Sequence, residues 1–327
     1  MKTINKNING GNMHKKILIA VFAVVLAGLT PARSAFMDFH WGTRGAGKAG
    51  AYVASVDDAS AVMWNPAALS QIYMREGMFS YDKPYAGLDG IDLSMGFFAV
   101  AYPHPGIANF GLSGTMYNGD GVYKENSYSF TAARELADLI DMGNMQLSAG
   151  INLKYLSHEY VWDDEIEGLD DPVVNAGDSA AAFTADFGVL FQPFYEMPVG
   201  LTVKNIIPAD VGLYYEDIVP MEANIGAAYR LGTVGKFEDI TPEFKVGFRN
   251  IEDDIRSPIN YAVGIESWFA MHTFGIRLGY NNNEIATGLS FEKYFGNVGL
   301  RIDYAALIST SLGDNLGSHR VSTSVKF

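Results

Sequence analysis

Thr273-Phe274-Gly275-Ile276-Arg277-Leu278-Gly279-Tyr280 alternates without a break, setting Phe, Ile, Leu and Tyr against Thr, Gly, Arg and Gly. Period two is the signature of a β-strand, because successive side chains point to opposite faces. The composition of the second face decides between two kinds of β protein. A soluble sandwich hides its apolar face and shows water a uniformly polar one, rich in Thr, Lys and Glu. Here the second face is small or carries an isolated charge. That suits the crowded interior of a closed ring whose apolar face is turned toward lipid.

The same pattern extends outward from this strand. Val298, Leu300, Ile302 and Tyr304 oppose Gly299, Arg301 and Asp303; Val321, Thr323, Val325 and Phe327 oppose Arg320, Ser322, Ser324 and Lys326. In 260–269, Tyr261, Val263, Ile265 and Phe269 share one face and Asn260, Gly264 and Glu266 the other. Stretches 147–155, 183–191, 223–229 and 244–248 repeat it. Strands are predicted near 75–82, 91–102, 107–117, 122–132, 145–157, 180–192 and 197–205. The second half gives 221–231, 241–249, 260–270, 273–281, 285–294, 298–307 and 317–327. The fold class is therefore all-β, a transmembrane antiparallel barrel of about 14 strands, an even number as single-chain bacterial barrels have.

The connections agree with that topology. With the last strand ending on the periplasmic side, the short turns 103–106, 193–196, 271–272 and 296–297 fall at one end, with 133–143 a longer exception. The long, acidic stretches 160–179, 206–220 and 252–254 fall at the other. Aromatic residues near strand ends (Tyr102, Tyr117, Tyr229, Trp268, Phe269, Tyr280, Tyr294 and Phe327) read as interfacial girdles.

Residues 1–35 read as a cleaved export signal. Lys15 and Lys16 precede the apolar run from Ile17 to Leu29, and Ala32-Arg33-Ser34-Ala35 offers small residues for cleavage. Met13 would open a tidier signal, so residues 1–12 read as an over-long start. Beyond Leu29 no long apolar run exists, although 48% of residues are hydrophobic; 18 Tyr, 20 Phe and 35 Gly are dispersed through the chain. The expected location is the outer membrane of a Gram-negative-type cell, with outer-membrane lipid as a partner. After Ala35 the chain holds 18 basic and 37 acidic residues, a net −19 that disfavours nucleic acid and anionic headgroups as partners. Without cysteine there are no disulfides, thiolate metal sites or Cys nucleophile.

Residues 42–69 carry a resemblance. Gly50-Ala51-Tyr52-Val53-Ala54, Asp57-Asp58-Ala59-Ser60-Ala61 and Trp64-Asn65-Pro66-Ala67 resemble the N-terminal region of FadL-like outer-membrane barrels, and more closely the PorV/PorQ branch. Asp186–Phe191 with Val199–Asn205, and His319–Phe327, extend the resemblance to the middle and end of the chain. It implies three parts: the signal at 1–35, a plug or hatch at 36–74 folded into the lumen, and a barrel at 75–327. It also implies a function in protein secretion of the type IX kind, or as a surface scaffold, with secretion-machinery proteins and cargo as partners. The alternative is FadL-like transport of small hydrophobic molecules such as fatty acids. The chain is short for a fatty-acid transporter, which weights the expectation toward secretion.

Candidate site residues are Asp57, Asp58, Trp64, Asn65, Pro66 and Ala67 for ligand or plug contacts. Asp57-Asp58 also read as a helix N-cap, and Asn65-Pro66 as a turn or helix restart. Glu266, Arg277, Glu292, Arg301, Asp303, Arg320 and Lys326 face the lumen, either as a selectivity path or paired with one another; facing lipid, each would cost roughly 2–4 kcal/mol near the midplane. Gly42–Ala49 nearly spells a phosphate-binding loop, but Ala49 stands where Ser or Thr would hold Mg²⁺ and no buried strand precedes it. Glycine there suits a segment threading close to other backbone. His40, His104, His158, His272 and His319 lack a neighbouring nucleophile signature, so no catalytic residue is assigned and the chain reads as a non-enzyme. The 163–171 acidic run lacks the order of a calcium loop, so neither metal nor cofactor is expected.

Overall fold

A computed structural model of the chain describes residues 36, 40–88, 90–136, 143–163, 166, 168, 170–250, 258–311 and 316–327. The export signal, Asp164, Glu165, Glu167 and Glu252-Asp253-Asp254 lie outside the described residues.

The strands are β1 (Glu76–Lys83), β2 (Leu93–Tyr102), β3 (Asn109–Gly119), β4 (Tyr123–Glu135), β5 (Gln146–Tyr160), β6 (Ser179–Phe194), β7 (Met197–Lys204) and β8 (Glu222–Ala228). They continue as β9 (Gly232–Val234), β10 (Phe237–Arg249), β11 (Ile259–Phe269), β12 (Phe274–Asn281), β13 (Glu284–Phe295), β14 (Val298–Ser309) and β15 (Ser318–Lys326). Each pairs antiparallel with its neighbour, and β1 pairs with β15 from Glu76↔Lys326 to Lys83↔His319, closing a ring of 14 strands. Closure leaves no free edge, the condition for spanning lipid with strands. Among the described residues no helix is long and apolar enough to cross a membrane.

The fifteenth strand, β9, resumes the line of β8 after an interruption at 229–231. It pairs with β10 beyond a register shift between Phe237 and Ile240. The sequence reading starts β10 near 241, whereas the strand begins at Phe237 and contains Pro242, which cannot donate to a ladder. A second irregularity, between Glu238 and Thr241 against β11, carries the strand past the proline. Pro193 is handled likewise: β6 runs through it to Phe194, with a register shift between Phe191 and Phe194.

Alternation resolves into two faces along most of the ring. Leu278 and Ile302 are exposed, while Arg277 between Ile276 and Leu278 is 2% exposed and Asp303 beside Ile302 is fully buried. Two of the girdle aromatics depart from expectation. Trp268 is buried, its ring stacked on His272 with centroids 4.0 Å apart, and its Nε1 donates to Glu266 at 3.2 Å. Tyr117 packs inward against the buried apolar cluster. Both share strand parity with inward neighbours, Glu266 and Thr115, and parity outweighs aromatic type.

Inside the ring, residues 41–72 lie against the wall. Trp41, Tyr52, Val56, Val62, Trp64, Leu69 and Ile72 pack on Met78, Met95, Phe97, Ala99, Ala133 and Leu190. The interior is therefore apolar along β2, where small or polar residues were expected, with Met78 of β1 and Ala133 of β4 beside it, and ionic along β11 to β15. A closed, hydrogen-bonded ring of this kind resists dodecyl sulfate at room temperature. The unheated protein should run faster on a gel than the boiled one and sediment with the outer-membrane fraction; a soluble product with one mobility would refute the architecture.

Candidate functional site

Residues 40–72 meet the wall through three devices, each traceable to local sequence. The first is glycine in the wall. A Cβ at Gly188 would lie 2.3 Å from Asn65 Oδ1, at Gly200 2.3 Å from the Val53 carbonyl oxygen, and at Gly279 2.2 Å from the Lys48 carbonyl carbon. These glycines pair across strands with Gly150, Gly226 and Gly264. No side chain fits at these close approaches, which accounts for the small residues on the inward face.

The second device is backbone capture by amide side chains. Asn65 Nδ2 donates to Val53 O at 2.9 Å and Val189 O at 3.2 Å, while its Oδ1 accepts from Ala67 N at 3.1 Å. That last bond caps the 3-10 helix Pro66–Gln71, with Pro66 in its first turn, so the Asn65-Pro66 restart is present. From the wall, Asn109 donates to Leu69 O at 2.8 Å and Ile72 O at 2.9 Å, Asn152 to Val62 O at 2.7 Å, and Asn281 to Ala49 O at 2.9 Å. Trp64 is buried, stacked on His40 at 5.8 Å and edge-on to Tyr52 at 5.8 Å; Pro66 and Ala67 are buried too.

The third device is charge. The short helix Thr43–Gly47 presents Arg44, which donates to both Glu266 oxygens (2.6 and 3.2 Å), to Asp58 (3.0 Å) and to Asp57. Arg301 donates to Asp58 at 2.8 Å and Asp303 at 3.0 Å, with Glu76 at 3.4 Å and Glu292 at 3.9 Å. Arg277 bonds Glu266 and stands 3.6 Å from Asp303; Lys326 donates to Glu292 at 3.0 Å. Arg320 pairs with Asp82 at 2.7 Å and donates to the His40 carbonyl. Lys48 donates to Glu243 at 3.0 Å, and Glu243 accepts from the Ala54 amide at 2.7 Å. The predicted lumen charges are thus brought together as ion pairs.

Asp58 does not occupy the N-cap position itself, although its Oδ1 accepts from the Ser60 backbone N–H at 3.0 Å at the entrance of the helix. Ser60 holds that position, without a side-chain capping bond, before the helix Ala61–Trp64. Asp58 is fully buried and answers two arginines, because a carboxylate at that depth needs cationic partners more than it needs a helix dipole. Burial alone would raise its pKa; Arg301 and Arg44 outweigh that and hold the carboxyl well below the usual carboxylate range. A lowered value means its contribution is present above the unfolded pKa and is lost only as pH falls through the folded one.

Sequence reasoning missed Arg44, Lys48, Glu76, Asp82 and Glu243. Arg44 and Lys48 sit four apart in the glycine-rich stretch. Strand parity places Glu76 and Asp82 on one face of β1 and Glu243 on the inward face of β10, so alternation held the signal.

Cavities flank residues 40–72 at both ends of the ring. One of about 620 Å³ opens toward the end holding Glu76 and Lys326; its lining includes Asp57, Gln71, Gln192 and Trp268, but none of residues 64–67. A small one of about 60 Å³, toward the long-loop end, is lined by Trp41, Met63 and Leu156 beside Lys154, Asp186 and Arg249. Lys154 pairs with Asp186 at 2.6 Å and Arg249 with Glu222 at 3.2 Å.

Asp58→Asn leaves Arg44 and Arg301 short of a buried partner. It should lower unfolding stability in detergent by about 3 kcal/mol, as breaking a buried pair does. Asp57→Asn, at a carboxylate 59% exposed, should change it by less than about 1 kcal/mol. Urea titration followed by tryptophan fluorescence measures both; equal effects would contradict the assignment of Asp58 as the hub.

No protein-family model matches the sequence, and no curated protein matches it. Solved structures do match. The CymD monoaromatic hydrocarbon channel aligns with TM-score 0.56 at 11% identity, over 89% of this chain and 98% of its own. A Pseudomonas aeruginosa FadL homologue aligns with TM-score 0.53 at 13% identity, over 90% and 99%. The P. putida toluene transporter TodX aligns with TM-score 0.52 at 9% identity, over 88% and 97%. At these identities the likeness concerns the fold. The chain has the fold of the FadL-like outer-membrane channels.

Proposed function

We propose that this chain is an outer-membrane conduit for small hydrophobic molecules, with residues 40–72 serving as the plug that closes it. The observation that carries this reading is a segment pinned across a 14-stranded ring that shares its fold with hydrocarbon channels. The apolar flank formed by Phe97, Ala99, Val62 and Leu69 supports it, since a greasy molecule needs an apolar wall along part of its path. The neighbours favour transport over the PorV/PorQ-like secretion role, which rests on the sequence resemblance and the chain length. Chain length does not argue against transport, because the alignment spans nearly the whole of each neighbouring channel. The mechanism is passive: the molecule moves down its gradient as the segment shifts, and the outer-membrane location follows from the fold.

The absence of native cysteine makes the test direct. Ala46 and Ala286 share one buried cluster, the first on the segment and the second on the wall. In Ala46→Cys/Ala286→Cys, oxidation should cut uptake of labelled toluene by cells carrying the protein at least tenfold, and reduction should restore it. Uptake indifferent to oxidation would remove the plug from the account; uptake no faster than in cells lacking the protein would end the transport reading.

A further inference from the structure

We propose that the conduit discriminates by charge, admitting uncharged molecules and rejecting anionic amphiphiles such as ionised fatty acids. This rests on the transport reading and narrows its substrate class.

The inference comes from what lines the 620 Å³ cavity. Asp57, Glu135, Glu196, Asp239 and Glu266 contribute carboxylates to it. Arg44 answers two of them, bonding Asp57 and Glu266 while also serving Asp58. The cavity's own arginine, Arg230, donates to the Tyr195 carbonyl at 2.8 Å and lies over that ring at 4.9 Å; both partners are neutral, so its charge offsets one of the five carboxylates and leaves the lining acidic. His272 stands 3.3 Å from Asp239 and supplies charge only when protonated. Glu135 and Glu196 have no cation within ion-pair distance among the described residues. Strand parity turns Arg134 and Lys293, the basic residues beside Glu135 and Glu292, to the outer face. A passage with this lining and low-dielectric walls focuses negative potential along its axis.

The opposite end gives an anion no better reception. Of the three cations lining the small cavity, Lys154 and Arg249 are held by Asp186 and Glu222, and Lys204 stands opposite Glu222 across β7 and β8. The loops above it carry Asp163, Asp170, Asp171, Asp178, Asp210 and Glu216, while Lys83 and Lys124 are paired with Asp92 and Glu159. Among the described residues, a carboxylate would thus meet an excess of like charge at both mouths. An alcohol or hydrocarbon meets no such barrier. For it the same cavity offers the Trp268 and Tyr73 rings and the amides of Gln71, Gln146 and Gln192, with Gln71 Nε2 buried and unbonded.

The test compares 1-decanol with decanoate, equal in chain length and differing in charge. Equilibrium dialysis at pH 8 and low salt uses purified full chain in an uncharged detergent, with protein-free micelles as the blank. The wild type should bind decanol at least tenfold more tightly than decanoate. The variant Glu135→Gln/Glu196→Gln/Asp239→Asn alters exposed rim positions. It should reduce the ratio below threefold by tightening decanoate, leaving decanol unchanged, and 0.5 M salt should act in the same direction. Decanoate binding as tight as decanol, or a ratio that the variant does not move, would overturn the charge filter while leaving the conduit standing. Binding of neither would overturn the conduit and the filter with it.

Discussion

Opposite charges facing each other across neighbouring strands hold this barrel in register. Glu266 lies directly opposite Arg277, Glu292 opposite Arg301, Glu76 opposite Lys326 and Asp82 opposite Arg320, each on the buried face. A slip of one residue would reverse every side chain in a strand. It would set an arginine in lipid, at about 2–4 kcal/mol near the midplane, and leave its partner buried and alone. The Asp82–Arg320 pair sits on the seam where β1 meets β15, so the same kind of interaction that fixes register also fixes closure. Ring and interior charge are one constraint, because closure creates the dry space in which the charges must be answered.

That constraint explains why residues 40–72 are where they are. The wall charges do not cancel wholly among themselves. Arg301 finds Asp58, and Glu266 finds Arg44, both contributed by the N-terminal segment. The segment in turn needs a place to lie, and the paired glycines of β5 to β8, β11 and β12 supply it by removing side chains where its backbone passes. Apolar packing on β2, with Met78 and Ala133 beside it, fills the remaining side. Each half leaves buried groups unsatisfied without the other.

Much of this was legible in the chain because lipid enforces one rule along nearly every strand. The apolar face of Phe274, Ile276, Leu278 and Tyr280 must be continuous, so alternation found all the ring strands to within a few residues. Pro193 was read as a break, but a register shift lets β6 run through it, and a window of ten residues does not reveal such shifts. Trp268 and Tyr117 were misread by residue type where their own parity pointed inward. The apolar inward face of β2 (Met95, Phe97, Ala99, Ala101) was hidden because its outward face is apolar too, leaving no contrast to read. The role of Asp58 was out of reach: its grammar beside Ala59-Ser60-Ala61 is that of a cap, and its partner Arg301 lies 243 residues away.

The central claim is directional: greasy side chains outward into lipid, ionic ones inward beside residues 40–72. Single cysteines at Leu278, Ile302 and Val321, and at Gly275, Ser290 and Ser322, carry nitroxide labels without interference from native thiols. Collisional relaxation then compares oxygen, which concentrates in lipid, with a water-soluble nickel chelate, in reconstituted bilayers. The account predicts oxygen dominance at the first three positions and immobilised labels reached by neither reagent at the second three. Nickel access at Leu278, Ile302 and Val321 equal to that of a loop residue, with oxygen showing no preference, would contradict it.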